Sequence, residues 1–206
     1  MLHNFKYWYF KKAIPERICD LIIQRGKEFE PEVGGTGDNI HAEKQRRGEI
    51  PLNIRKSYIR WLDDQWIYRQ IYPFIHEANK NAKWNYLWDT SEQIQFTEYG
   101  PDQYYDWHQD SYLEPYAENH RFESWRGLTR KLSVTVSLSN PGDYQGGVLQ
   151  FDLSSREVGE KSVDCLDILD KGSLVVFPSW MWHRVTPVTK GVRYSAVIWC
   201  LGKPLI

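Results

Sequence analysis

The chain has 206 residues, of which 41% are hydrophobic and 26% charged. These values exclude a disordered, low-complexity or collagen-like chain and fit one globular domain, residues 1–206, around one core. Lys and Arg number 26 against 27 Asp and Glu, a net charge of -1, which gives no global electrostatic reason to expect nucleic acid or an anionic membrane as partner. No run reaches the roughly 18 apolar residues of a membrane span. Met1-Leu2-His3-Asn4 also lacks the charged start and apolar stretch of a signal peptide, so a cytoplasmic location is expected.

Taken in chain order, the first pattern is an aromatic stretch from Phe5 to Phe10, followed by Pro15-Glu16-Arg17. Ile18, Leu21, Ile22 and Phe29 then recur at near-helical spacing, predicting a helix with Pro15 near its start and Pro31 beyond its end. Residues 31–50 carry Gly34-Gly35, Gly37 and Gly48 and no apolar period, which reads as a surface loop that could act as a lid. Arg55 to Trp61 reads as a strand. Asp63-Asp64 then opens a second helical pattern through Trp66, Ile67, Ile71, Phe74, Ile75 and Ala78, which Pro73 is expected to kink or divide.

After residue 92 the character changes to short strands between turn residues. Strands are expected near 93–99, 103–109, 130–139, 147–152, 173–177, 181–186 and 192–200. Turns are expected at Gly100-Pro101, Asn140-Pro141-Gly142, Gly146-Gly147 and Lys190-Gly191. The reading is thus a mainly β protein in which residues 1–92 supply helical support and first strands and 93–200 form the β core. Ser111 to Gly127 is a long polar and aromatic excursion between two of these strands, a second candidate lid.

Cys19, Cys165 and Cys200 are far apart and in no CxxC arrangement, so reduced, buried thiols are expected rather than a disulfide framework or a thiolate zinc site. The ten Trp and thirteen Tyr are more ring surface than a core of this size needs, which leaves some to line a cleft. Of the six histidines, His3, His41, His76 and His120 have no partner at useful spacing. His108-Gln109-Asp110 does, because residues two apart on a strand project from one face. Asp106 also lies two residues from His108, so spacing alone leaves the carboxylate undecided.

A third residue, His183, follows in Phe177-Pro178-Ser179-Trp180-Met181-Trp182-His183, and Arg193 comes ten residues later. Two imidazoles and one carboxylate on a β scaffold match the facial triad of non-haem Fe(II) oxygenases, which leaves coordination positions open for a cosubstrate and dioxygen. Arg193 supplies a planar, permanently charged fork suited to a carboxylate. Strand parity turns Arg184 away from His183, and Arg193 is expected across a closing hairpin at Lys190-Gly191.

The stretches Phe96-Thr97-Glu98-Tyr99-Gly100 through Trp107-His108-Gln109-Asp110-Ser111, Arg130 to Val134, Tyr144 to Leu149 and Lys171 to Leu174 through Arg193-Tyr194-Ser195 resemble the Fe(II)/2-oxoglutarate-dependent dioxygenases of the prolyl 4-hydroxylase type. The short bacterial and bacteriophage members are the most similar, and the resemblance covers about residues 93–200. It implies a double-stranded β-helix, or jelly roll, with supporting N-terminal helices. By carry-over His108, Asp110 and His183 hold Fe(II), Arg193 and Tyr99 bind the far carboxylate of 2-oxoglutarate, and Trp199 lines the substrate pocket; Tyr105 and Trp107, near the triad in the sequence, are expected to join that pocket as part of an aromatic groove. The implied reaction hydroxylates an unactivated C–H, most readily of a prolyl residue in a peptide or protein, and releases succinate and CO2, with L-ascorbate as helper. A small molecule or free amino acid as substrate, and a jelly-roll binding module without chemistry, are the alternatives.

Overall fold

A computed structural model describes residues 6–35, 54–111, 114–154 and 158–204. The described elements are, in chain order, β1 (Trp8–Phe10), α1 (Glu16–Lys27), β2 (Glu32–Val33), β3 (Arg55–Lys56), β4 (Tyr58–Leu62), α2 (Gln65–Asn81), β5 (Thr90–Ser91), β6 (Ile94–Tyr99), β7 (Tyr104–His108), β8 (Thr129–Ser137), β9 (Tyr144–Gly146), β10 (Leu149–Asp152), β11 (Ser162–Asp164), β12 (Leu174–Pro178), β13 (His183–Val185), β14 (Val188–Gly191) and β15 (Arg193–Gly202). Every strand pairing is antiparallel. The major sheet runs β1-β12-β8-β15-β6-β4-β2, with β5 also on β15; the minor sheet runs β11-β10-β13-β7-β3, and β14-β9 form a separate ladder.

Strand parity divides the major sheet into two chemically different faces. Ile94, Phe96, Leu132, Val134, Val136, Leu174, Val176, Ala196, Ile198 and Cys200 are buried in one apolar cluster with Ile22 of α1 and Ile67, Ile71, Ile75 and Ala78 of α2. Gly26 lets α1 approach this face, since a Cβ there would come 2.5 Å from the Phe96 ring. The opposite face looks toward the minor sheet, and Tyr99, Val175 and Phe177 pack there with Leu149, Phe151, Met181 and Val185. Between them lie the buried polar side chains Gln95, Thr97, Ser133, Thr135, Ser137, Arg193 and Ser195, whose positions alternate with the helix-facing set. The site is built on this inner face.

Several sequence expectations are corrected here. Pro73 does not divide the second helix, which continues from Gln65 to Asn81. The Pro costs about 3 kcal/mol, and full burial of Ile71 and Ile75 on either side of it contributes about 1.5–3 kcal/mol each. The single strand expected from Arg55 to Trp61 is two, because the chain crosses at Ser57 from the minor sheet, where Arg55 pairs with Tyr105, to the major sheet, where Tyr58 pairs with Glu98. Glu32–Val33, expected as loop, pairs with β4; the remainder of that stretch, 36–50, lies outside the described residues. No closing hairpin joins β13 to β15. Gly191, at φ +74, pairs with Tyr144, and β15 then enters the major sheet between β8 and β6.

Strands β1 to β5, all from residues 1–92, pair within the same sheets as those of residues 93–200. The three cysteines are free and buried, as expected. Among the described residues no helix is long and apolar enough to cross a membrane.

Candidate metal and cosubstrate site

His108 at the end of β7 and His183 at the start of β13 are direct cross-strand partners, and their rings lie 4.1 Å apart between centroids. Asp110 is not in the strand as expected, since β7 ends at His108. It is brought in by backbone bonds from Asp110 N and Ser111 N, each 2.9 Å from Ser179 O. The Asp110 carboxylate then lies 3.4 Å from His183 Nε2 and 3.8 Å from His108 Nε2. The three ligand atoms fall within 4.8 Å of one another, and no other group of three His, Cys, Asp or Glu among the described residues is so placed.

The ambiguity between Asp106 and Asp110 is resolved by a β-bulge. His183 pairs with His108 but Val185 pairs with Tyr105, so β7 carries one extra residue between them. A bulge re-aims the side chains beside it. Tyr105 therefore shares the inner face with His108 and stacks on it at 3.5 Å and 9°. Asp106 instead meets Arg184 at 3.7 Å, and Arg184, turned away from His183 as parity requires, bonds Gln150 and covers the Trp107 ring. Trp107 also lies against Gly159, so its surroundings are the outer face of the minor sheet.

The donor set fits a divalent cation. His108 Nδ1 donates to Asp106 O at 2.7 Å and His183 Nδ1 to Met181 O at 2.9 Å; a carbonyl can only accept, so the Nε2 lone pair of each ring is left free toward the third ligand. Burial, reinforced by the neighbouring His183, holds His108 well below the usual imidazole value. Burial acts to raise Asp110, but His183, His108, Arg130 and the Ser133 hydroxyl together hold it below the ordinary carboxylate range. A neutral His108 imidazole beside an ionised Asp110 carboxylate results.

The second part of the site is Arg193, 3% exposed. Its Cα partner is Tyr99 on β6, and its guanidinium lies 5.6 Å from the centre of that ring. Its hydrogen bond is to a neutral group, Ser195 Oγ, at 3.4 Å, and no carboxylate among the described residues lies within 4.0 Å of it. A buried cation without an anion is costly, and this one fits the far carboxylate of 2-oxoglutarate. Gly147 makes room for it: a Cβ at that position, where φ is +61, would come 2.9 Å from Arg193 Cδ.

A sequence model described as the 2OG-Fe(II) oxygenase superfamily matches residues 94–201, more than half of the chain, from the start of β6 to all but the last residue of β15. The chain belongs to this superfamily. Among curated relatives, a PKHD-type hydroxylase of Synechococcus sp. (strain JA-2-3B'a(2-13)) is 43% identical over 68 residues, 33% of this chain and 27% of the relative. A PKHD-type hydroxylase of Psychrobacter sp. (strain PRwf-1) is 36% identical over 104 residues, 50% of this chain and 36% of the relative. The matches thus span less than half the length of these relatives. Among solved structures, the viral collagen prolyl hydroxylase of Paramecium Bursaria Chlorella virus-1 superposes with a TM-score of 0.62 at 18% identity over 97% of both chains. A Pseudomonas putida prolyl-4-hydroxylase superposes at 0.60 and 18% over 98% of this chain and 96% of its own. The jelly-roll core expected from the sequence is therefore the fold of this superfamily member.

Two further features of the site were not found in the sequence. The Arg55 guanidinium lies 4.5 Å from the centre of the Tyr105 ring and bonds Gln95 Oε1 at 2.6 Å, beside the crossing between the sheets at Ser57. Arg130 covers Trp199, itself 5% exposed, at 3.8 Å. Arg130 faces inward because of a second bulge: Cys200 pairs with Leu132 but Leu201 with Arg130, so Lys131 is the extra residue and the parity of β8 switches there. The Trp199 Nε1 is the buried side-chain polar atom without a hydrogen-bond partner among the described residues.

Proposed function

We propose that the chain is an Fe(II)- and 2-oxoglutarate-dependent dioxygenase that hydroxylates an unactivated C–H, that of a prolyl residue in a peptide or protein, with release of succinate and CO2. The observation that carries this reading is the convergence of His108 Nε2, Asp110 and His183 Nε2 within 4.8 Å in the same barrel as the buried Arg193 that no carboxylate among the described residues neutralises. A bound Fe(II) would supply dioxygen activation coupled to oxidative decarboxylation of 2-oxoglutarate.

The chain's own groups do the rest. The Nδ1 bonds to Asp106 O and Met181 O fix the ring planes, and the Ser179 carbonyl fixes the Asp110 backbone. Arg193 binds the cosubstrate's far carboxylate through its fork, with Tyr99 beside it. Leu149, Phe151, Phe177 and Met181, all buried, keep water from the inner wall. Tyr105, on the His108 ring, and Trp199, under Arg130, stand as walls for the target residue. A peptide substrate is supported by a fold neighbour, a Trichoplax adhaerens prolyl hydroxylase in complex with a hypoxia inducible factor oxygen degradation domain peptide fragment, with a TM-score of 0.62 at 16% identity over 97% of this chain. The pairing of β1 to β5 within the two sheets supports reading residues 1–206 as one domain.

The test is anaerobic titration with Fe(II) and 2-oxoglutarate, watching for the visible charge-transfer band of the chelated cosubstrate. Succinate formation is then followed across proline-containing peptides and free amino acids, with and without ascorbate. A band followed by peptide-stimulated succinate is expected. No band under full metal loading overturns the enzyme reading, and stimulation by a free amino acid alone overturns the peptide assignment.

A further inference from the structure

Glu92, just before β6, is 3% exposed, and nothing in the chemistry above uses it. Its carboxylate accepts Arg130 Nε at 2.5 Å on Oε1 and Arg130 Nη2 at 2.6 Å on Oε2, and Oε1 also accepts the Tyr116 hydroxyl at 2.7 Å. Its backbone is held on both sides, with N donating to Trp199 O at 3.0 Å and O accepting the Tyr68 hydroxyl at 3.0 Å. The remaining arm of Arg130, Nη1, donates to Asp110 O at 3.3 Å. One bidentate ion pair thus joins three parts of the molecule: the loop that carries Tyr116, the main chain of a metal ligand, and the Trp199 wall.

The loop is a compact unit. Tyr116 N donates to Leu128 O and Gly127 N to Tyr116 O, both at 2.9 Å, closing it on itself. Inside that closure Tyr116, His120, Phe122 and Trp125 pack ring against ring at 4.3–5.8 Å. The Tyr116 hydroxyl ties this cluster to the barrel. Because Glu92 neutralises Arg130, that guanidinium is not a receptor for an anionic substrate; its geometry is that of a brace.

We infer that Tyr116, Glu92 and Arg130 are positioning residues that couple the seating of the 114–127 loop to the placement of Asp110, so that metal binding and loop closure strengthen one another. The inference rests on the reading of His108, Asp110 and His183 as metal ligands. Coupling between two equilibria is reciprocal: if a seated loop tightens metal binding, bound metal must hold the loop down by the same factor. A merely structural ion pair would lower thermal stability and leave both unchanged.

The experiment uses the full chain with Mn(II), a redox-silent stand-in for Fe(II), and 2-oxoglutarate. Mn(II) affinity is read from the free-ion paramagnetic resonance signal, and loop seating from the rate of tryptic cleavage after the exposed Arg121. In the unaltered protein Mn(II) should slow that cleavage at least ~5-fold, the lower end of typical coupling. Tyr116→Phe, which deletes one hydroxyl and keeps the ring, should weaken Mn(II) binding by a similar factor and remove the protection; Glu92→Gln should do so more strongly. Cleavage indifferent to Mn(II) in a protein that binds it overturns the inference. So does a Tyr116→Phe protein that melts lower while keeping its Mn(II) affinity within twofold. A chain that binds no Mn(II) instead overturns the metal-site reading, and the inference with it.

Discussion

Replacing Arg193 by Met should move stability and binding in opposite directions. The side chain is 3% exposed, meets no carboxylate among the described residues, and has one long bond to a neutral hydroxyl at 3.4 Å. An uncompensated charge so placed costs several kcal/mol in the free protein. Met fills most of the same volume without that charge, so the metal-free protein should be at least as stable as the parent, and more stable by about 1 kcal/mol or more where relaxation of the native site is incomplete. With 2-oxoglutarate bound the sign reverses. Truncating one partner of a buried, hydrogen-bonded charge pair costs about 2–5 kcal/mol, which is roughly 30-fold to a few thousand-fold in affinity. Urea denaturation of the metal-free protein gives the first quantity, and anaerobic titration of the charge-transfer band gives the second. A variant that is destabilised by more than about 2 kcal/mol without ligand, or that keeps its affinity for 2-oxoglutarate, would refute the argument that Arg193 is held in wait for an anion.

Asp110→Ala should abolish metal-dependent turnover and leave the melting temperature within a few degrees, because the fold is secured on the other face of the major sheet; retained activity, followed as succinate, would remove Asp110 from the ligand set. Gly147→Ala should raise the 2-oxoglutarate concentration needed for half-maximal band intensity and destabilise by about 1–3 kcal/mol, from a strained φ and crowding against Arg193 Cδ and Val188 Cγ2, both 2.9 Å from the added carbon; urea denaturation and the same titration check both. Burial pushes Cys19 up to about 11 and Cys165 to about 12, and raises Cys200 as well. The native thiols should therefore resist a disulfide reagent at pH 8 until the protein is unfolded. The unfolded chain ionises its thiols near pH 9 while the folded one resists, so stability should be full below that pH and fall as pH rises toward 11–12; alkaline stability that is flat across this window would contradict it.

The convergence of His108, Asp110 and His183 was legible because histidine is rare in this chain, six in 206 residues, and the two that matter sit in aromatic, strand-like stretches. Position along the chain was enough to find them; orientation was not. The two bulges decide which side chains enter the barrel, and neither has a marker: Asp106 and Asp110 are equally spaced from His108, and Arg130 stands on the wrong parity until Lys131 is counted out of the ladder. Trp107 fell to the outer face for the same reason. Glu92 could not be found because its meaning depends on Arg130 and Tyr116, at 38 and 24 residues' separation. The change of sheet at Ser57 was hidden too, since an extended backbone reads alike on either side of it.

The two faces of the major sheet divide more than polarity. Hydrocarbon from α1, α2 and the even-numbered strand positions meets on one side, while the other includes five small hydroxyl side chains, Thr97, Ser133, Thr135, Ser137 and Ser195. Exchanging one short hydroxyl for another there leaves the opposite layer untouched. The same scaffold can therefore accept a re-lined chamber through many successive changes, each tolerated on its own, and so drift from one substrate toward another without passing through an unfolded intermediate sequence.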